Sequence, residues 1–189
     1  MLKHILRIFL NNTMVMMAIV LFLFSCGSKD KVHPSFPDRS MMPVLRVTDV
    51  VTMISDSGIT RYRISAPEWL VYDKAEDPFW DFPKGAVFER FDNEYQTDAS
   101  IRADSVVYYS QRKMWRLSGN VQANNLKDEK FETDILFWNQ ETAKIYTDEK
   151  VTITQTDKVL VGYGFESDQT MDKYTLKNVS AIIPIEKVE

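Results

Sequence analysis

Beyond residue 44, apolar and polar residues alternate with a period close to two, and the pattern is clearest between Ile101 and Gln155. Residues 101–123 (IRADSVVYYSQRKMWRLSGNVQA) and 131–153 (FETDILFWNQETAKIYTDEKVTI) superpose without a gap at an offset of thirty. Asp104 falls on Asp134, Tyr108 on Trp138, Trp115 on Ile145 and Val121 on Val151. Each copy reads as a strand, a polar turn and a second strand, so the unit is a β-hairpin of the kind that stacks into a larger sheet. The alternation is not one-sided: Val106, Tyr108, Leu136 and Trp138 share one parity, while Val107, Tyr109, Ile135 and Phe137 are apolar on the other. An antiparallel sheet with one wet face alternates cleanly. The pattern therefore predicts two stacked sheets, or one sheet folded over on itself.

The same reading extends to both sides of the repeat. Leu45–Ile54, the turn Ser55–Gly58 and Ile59–Ala66 predict a first hairpin, which Pro67 ends because it has no N–H; Glu68–Asp73 resumes as a separate strand. Residues 74–86 are the least regular, and there Phe79, Trp80 and Phe82 could plug a core or form a binding lip. Val87–Phe91 and Tyr95–Ser100 lead into the repeat, and Leu160–Asp168 and Tyr174–Val179 continue it. Gly119, Gly162 and Gly164 fall where bulges or close backbone approach are expected. No segment keeps a helical period over three turns, so the fold class is all-β, built from stacked hairpins with about a dozen short strands. Asp104, Asp134 and Asp168 recur at matching positions and are expected to stack along one edge of adjacent hairpins, as strand-end and turn formers.

The chain has 189 residues, 44% of them hydrophobic, enough for one domain with a real core. A net charge of −4 argues against tracking a phosphate backbone, so no nucleic-acid partner is expected. The one cysteine, Cys26, and both histidines, His4 and His33, precede the β-rich part. That part has no thiol or imidazole for covalent catalysis and no Cys/His metal set. Neither a cofactor nor a metal is expected, and a non-enzymatic role is. A carboxylate-only glycosidase would need two acids spaced across a cleft, and no acid pair stands out for it.

The N-terminus places the domain. Lys3 and Arg7 precede an apolar run of eleven residues, Met14 to Phe24, followed by Ser25-Cys26. Eleven helical residues rise about 16 Å, roughly half of a ~30 Å hydrocarbon core, which fits a secretory leader better than a membrane span. Leu23-Phe24-Ser25-Cys26 resembles a bacterial lipobox, whose cysteine is acylated and becomes the first mature residue. An uncleaved signal anchor starting near Ile5 is the alternative. The expected organisation is a leader (1–25), an acylated tether rich in proline, serine and charge from Cys26 to residue 43, and a β domain (44–189).

Several motifs in order carry a family resemblance: Tyr62-Arg-Ile-Ser-Ala-Pro67, Phe82-Pro-Lys-Gly85, Ile101-Arg-Ala-Asp-Ser-Val-Val-Tyr108, Trp115-Arg-Leu-Ser-Gly-Asn-Val121, Leu136-Phe-Trp-Asn139, Lys144-Ile-Tyr-Thr-Asp148 and Gly162-Tyr-Gly-Phe-Glu-Ser-Asp168. Together they resemble the lipopolysaccharide-export periplasmic protein C family (LptC), and the stretch around Gly119-Asn120-Val121 is similar to the organic-solvent-tolerance-A-like repeat. The resemblance implies an elongated, twisted antiparallel β-jellyroll at the periplasmic face of the inner membrane. It implies receipt of lipopolysaccharide from the inner-membrane export ABC transporter and transfer to a periplasmic bridge protein of the LptA type by edge-strand pairing. Many relatives cross the membrane with one helix, whereas this chain reads as lipid-anchored at Cys26. Hairpin parity gives the expected lipopolysaccharide-binding interior as Val106, Tyr108, Trp115, Leu117, Val121, Leu136, Trp138, Ile145, Val151 and Ile153. The expected partner edge is the last strand, with Tyr174, Leu176, Asn178, Val179 and Ile182. A competing reading is a structural or adhesive lipoprotein that binds protein or glycan through Phe79, Trp80 and Phe82.

Overall fold

The computed structural model describes residues 38–184 except 39, 41 and 57, and all of its strands belong to one unit, Pro37–Glu189. The leader 1–25, Cys26 and nearly all of the tether 26–43 lie outside the described residues. Among the described residues, eleven strands form one antiparallel sheet: β1 (Leu45–Asp56), β2 (Ile59–Tyr72), β3 (Phe79–Phe82), β4 (Ala86–Phe91), β5 (Thr97–Ala103), β6 (Ser105–Tyr109), β7 (Met114–Asn124), β8 (Lys130–Asn139), β9 (Lys144–Thr154), β10 (Lys158–Asp168) and β11 (Tyr174–Pro184). The all-β antiparallel architecture expected from the alternation is what forms, and it is consistent with an elongated β-jellyroll.

The topology is simpler than its strand count suggests. β3 and β4 are two halves of one course of chain, interrupted at Pro83–Gly85; β5 and β6 are halves of the next, interrupted at Asp104. Both halves of the first course pair with β2, and both halves of the second pair with β7. β3 pairs with β6 and β4 with β5, after which β7 to β11 follow in chain order. The sheet is therefore a meander, and every neighbour is the next course of chain. Local closure of this kind is what tandem hairpins favour, because each pairing closes only a short loop.

Register breaks line up across the courses. Asp49 and Pro67 have no ladder partner although their neighbours pair. Next come Gly85 and Asp104, then a register shift between Ser118 and Val121, another between Glu132 and Phe137, and a third between Tyr163 and Phe165. Left-handed backbone falls on the same line: φ is 53° at Asp49, 78° at Gly85, 75° at Gly119, 44° at Asn120 and 70° at Gly164. Bulges add twist and bend a strand, so a row of them creases the sheet. Two leaves result. One carries β4, β5 and residues 121–124, 130–133 and 151–154; the other carries β3, β6 and residues 114–118, 135–139, 144–147 and 165–168.

Side chains of the two leaves meet across the crease. Phe88 of the first packs on Trp115 of the second at 4.9 Å between ring centroids, Tyr62 on Trp138 at 5.7 Å, and Phe131 on Phe165 and Tyr174 at 5.5 and 5.2 Å. The folded sheet thus has one continuous core. Burying each large apolar side chain there stabilises by about 1.5–3 kcal/mol.

Three local expectations need correction. Pro67 does not end a strand: β2 runs through it, because Pro67 sits opposite Asp49, where the ladder skips one pair, and between the stretches that pair with β4 and β3, where no ladder bond requires its N–H. Phe79–Phe82 is not irregular but a strand held between β2 and β6. Asp168 does not stack with Asp104 and Asp134. Those two lie on the crease, whereas Asp168 ends β10, where its Oδ1 accepts hydrogen bonds from the N–H and hydroxyl of Thr170.

Candidate functional site

All ten residues of the expected interior face the core. Nine are buried, and Tyr108 is half-buried with its ring stacked on Trp115 at 4.4 Å and tilted on Trp80 at 4.9 Å. Burial pushes the Tyr108 hydroxyl pKa above its ordinary value. Val121, Val151 and Ile153 belong to the first leaf and the other seven to the second. Hairpin parity found one face of each strand; the crease turns those faces toward each other. The interior also uses Ile64, Phe82, Phe88, Phe131, Phe165 and Met171. The alternating Val87-Phe88-Glu89-Arg90 could have revealed Phe88, but nothing local marks Met171, which lies in a turn.

The second apolar parity has its own place. Tyr72, Phe79 and Tyr109 form an outward row, with Phe79 stacked on Tyr72 at 4.5 Å and the Arg112 guanidinium 4.0 Å over the Tyr109 ring. Phe137 and Tyr146 stack beside it at 5.5 Å. Trp80 and Phe82 point the other way and pack on Trp69 and Trp115, so the aromatic cluster of 79–82 is split between two faces and does not form a single lip.

Between the leaves lies an apolar pocket of about 30 Å³, lined by Tyr62, Phe88, Ile101, Trp138, Ile145 and Met171 among others. That is room for a water or two and far less than an acyl chain needs, so the interior is filled by its own side chains in this conformation. At the rim Arg90 makes a two-pronged ion pair with Asp98 at 2.7 and 2.8 Å. The indole N–H groups of Trp69, Trp115 and Trp138 are buried without an acceptor. Among the described residues, no cluster of His, Cys, Asp and Glu is spaced to hold a metal ion.

The edges of the meander are open among the described residues: β1 pairs only with β2, and β11 only with β10. On β11, Asn178, Val179 and Ile182 are exposed, with Val179 at 52% and Ile182 at 62%. Tyr174 and Leu176 instead turn their side chains to the core. Tyr174 donates to Glu129 and accepts from the Gln155 amide at 2.8 Å; burial first, and the Glu129 charge second, push its pKa up to about 12. At the crease, Glu68 is buried under Arg46 of β1 at 2.6 Å and Lys84 at 3.1 Å, and the Lys84 hydrogen bond leads in holding its carboxyl below the usual range.

Comparison with individually curated proteins gives no match. The family model described as "Lipopolysaccharide-assembly, LptC-related" matches residues 13–183, which takes in every strand but the final residue of β11. The chain therefore belongs to the LptC-related family of lipopolysaccharide-assembly proteins, components of lipopolysaccharide transport on the periplasmic side of the inner membrane.

Proposed function

We propose that this protein is a non-enzymatic carrier station in lipopolysaccharide export, taking lipopolysaccharide from the inner-membrane ABC transporter and passing it to an LptA-type bridge protein. The observation that carries this reading is the creased sheet, whose two leaves turn one continuous apolar face inward. Such a face can shield acyl chains from water, worth about 0.8 kcal/mol per buried CH₂. The filled pocket implies that the leaves part to admit the chains. Acyl chains then replace contacts that the inner residues make with one another, so entry exchanges one apolar contact for another and needs no chemical step.

The free edges suit the handover. Main-chain N–H and C=O groups along an unpaired strand recruit a further strand, and apolar side chains add affinity. β11, with Val179 and Ile182 exposed, is the side for the bridge protein; β1 is the side toward the transporter. Photo-reactive residues at Tyr108, Leu117 and Trp138 are expected to trap lipopolysaccharide in cells. Capture at outward positions such as Val87 and Lys150 but at none of the three inner ones would sink the interior track.

A further inference from the structure

We infer that the turn between β10 and β11 is a gate into the interior, that Met171 is its plug, and that the site beneath it takes the carbonyl end of an ester- or amide-linked acyl chain. This inference rests on the interior-track reading and adds where and how a chain enters.

Met171 is a turn residue that behaves as core. Its side chain is 1% exposed, and its backbone adopts φ 58°, a left-handed conformation that non-glycine residues avoid. The turn is shaped from within by Asp168, whose carboxylate accepts from Thr170, so it can move as a preformed piece. What fastens it to the first leaf is a short set of hydrogen bonds. Asn125 Nδ2 donates to the Met171 carbonyl, Tyr62 OH to Gln169 Oε1 and Lys127 Nζ to the Asp172 carbonyl, each at 3.0 Å. Breaking these bonds leaves every strand ladder intact. The turn also leads directly into β11, the proposed docking edge, so a partner strand there pulls on the segment that holds the plug.

Beneath Met171 the pocket surface is mostly apolar, with Arg90, Ser100 and Gln169 also on its wall, and one of its lining residues, Trp138, buries an indole N–H with no acceptor. A buried donor left unpaired is costly, and native structures satisfy most of them. A ligand that fits must be apolar along its length and bring one hydrogen-bond acceptor. An acyl chain at its ester or amide carbonyl has both features. A bare alkyl chain lacks the acceptor. A phosphate would need a cation, and Arg90, the cation at the rim, is already paired with Asp98.

The test uses the full chain in phospholipid nanodiscs and lipopolysaccharide carrying a fluorophore on its sugar, with association followed by stopped flow. Met171→Ala and Lys127→Met, the latter removing the single bond to the Asp172 carbonyl, are expected to speed association about fivefold, the effect of removing one ordinary hydrogen bond or its equivalent from the barrier. Val50→Ala, a core truncation on β1 away from the pocket, is expected to leave the rate unchanged. In a displacement assay, a sucrose dodecanoate ester should outcompete dodecyl maltoside, which has no carbonyl, and Trp138→Phe should abolish that preference. Wild-type rates in both gate variants, equal acceleration in Val50→Ala, or a preference that survives Trp138→Phe would overturn the inference. Trapping of lipopolysaccharide at Tyr108 in cells separates the outcomes. If trapping persists while the gate variants behave as wild type, the gate is wrong and the track stands; if trapping fails, the track falls and the gate with it.

Discussion

At the scale of single residues, the crease depends on backbone that side chains cannot follow. A Cβ at Gly85 would lie 2.3 Å from the Ala103 carbonyl oxygen, a backbone atom of the neighbouring course, on top of a φ of 78°. Gly58, in the β1–β2 turn, has a similar φ of 82° but nothing within 4 Å of its would-be Cβ. The two glycines therefore separate conformational strain from collision. Gly58→Ala is expected to cost about 1 kcal/mol of stability, the left-handed penalty alone. Gly85→Ala is expected to cost about 3 kcal/mol or more, because strain and a main-chain clash add. Urea unfolding of the two variants measures the difference, and equal losses would show that the crease yields freely at Gly85.

At the scale of elements, what the sequence displayed and what it concealed follow from the range of the signal. A strand's period of two is written in consecutive residues, so the hairpins and the inner face of Val106 through Ile153 were legible. The mixed parity also called for a stacked or folded-over sheet, and Gly119 and Gly164 were legible as bulges; the line of the crease was not, because it arises from single residues in separate courses falling into line: Asp49, Gly85, Gly119, Asn120 and Gly164 are thirty or more residues apart for the most part, and two of them are not glycine. Pro67 misled for the same reason, since its missing N–H is excused by the skipped pair with Asp49 on one side and by the gap between the β4- and β3-paired stretches on the other. The free edge of β11 is likewise a property of the assembled sheet. Its test follows from strand geometry, in which alternate side chains of an edge strand flank an incoming partner. Photo-reactive residues at Val179 and Ile182 are expected to trap the bridge protein, while Val51 and Met53, exposed on β1, are expected to trap the transporter side. Capture of the bridge protein from β1 but not from β11 would reverse the direction assigned to the sheet.

For the whole molecule, the two edges matter only if the domain is held where both partners can reach it, and that depends on Cys26. Seventeen residues, 27–43, separate the proposed acylation site from the start of the β domain. A single acyl chain binds a membrane only marginally, whereas a multiply acylated cysteine holds firmly, so the lipobox reading predicts permanent residence and not exchange. Mass spectrometry of the mature protein is expected to find Cys26 as its acylated first residue, in the inner-membrane fraction. Cys26→Ala is expected to retain residues 1–25, with an unchanged unfolding midpoint because every strand among the described residues lies between Leu45 and Pro184. A wild-type protein that begins at Met1 with an unmodified cysteine would replace the lipid anchor with an apolar one. The two edges would keep their assignments.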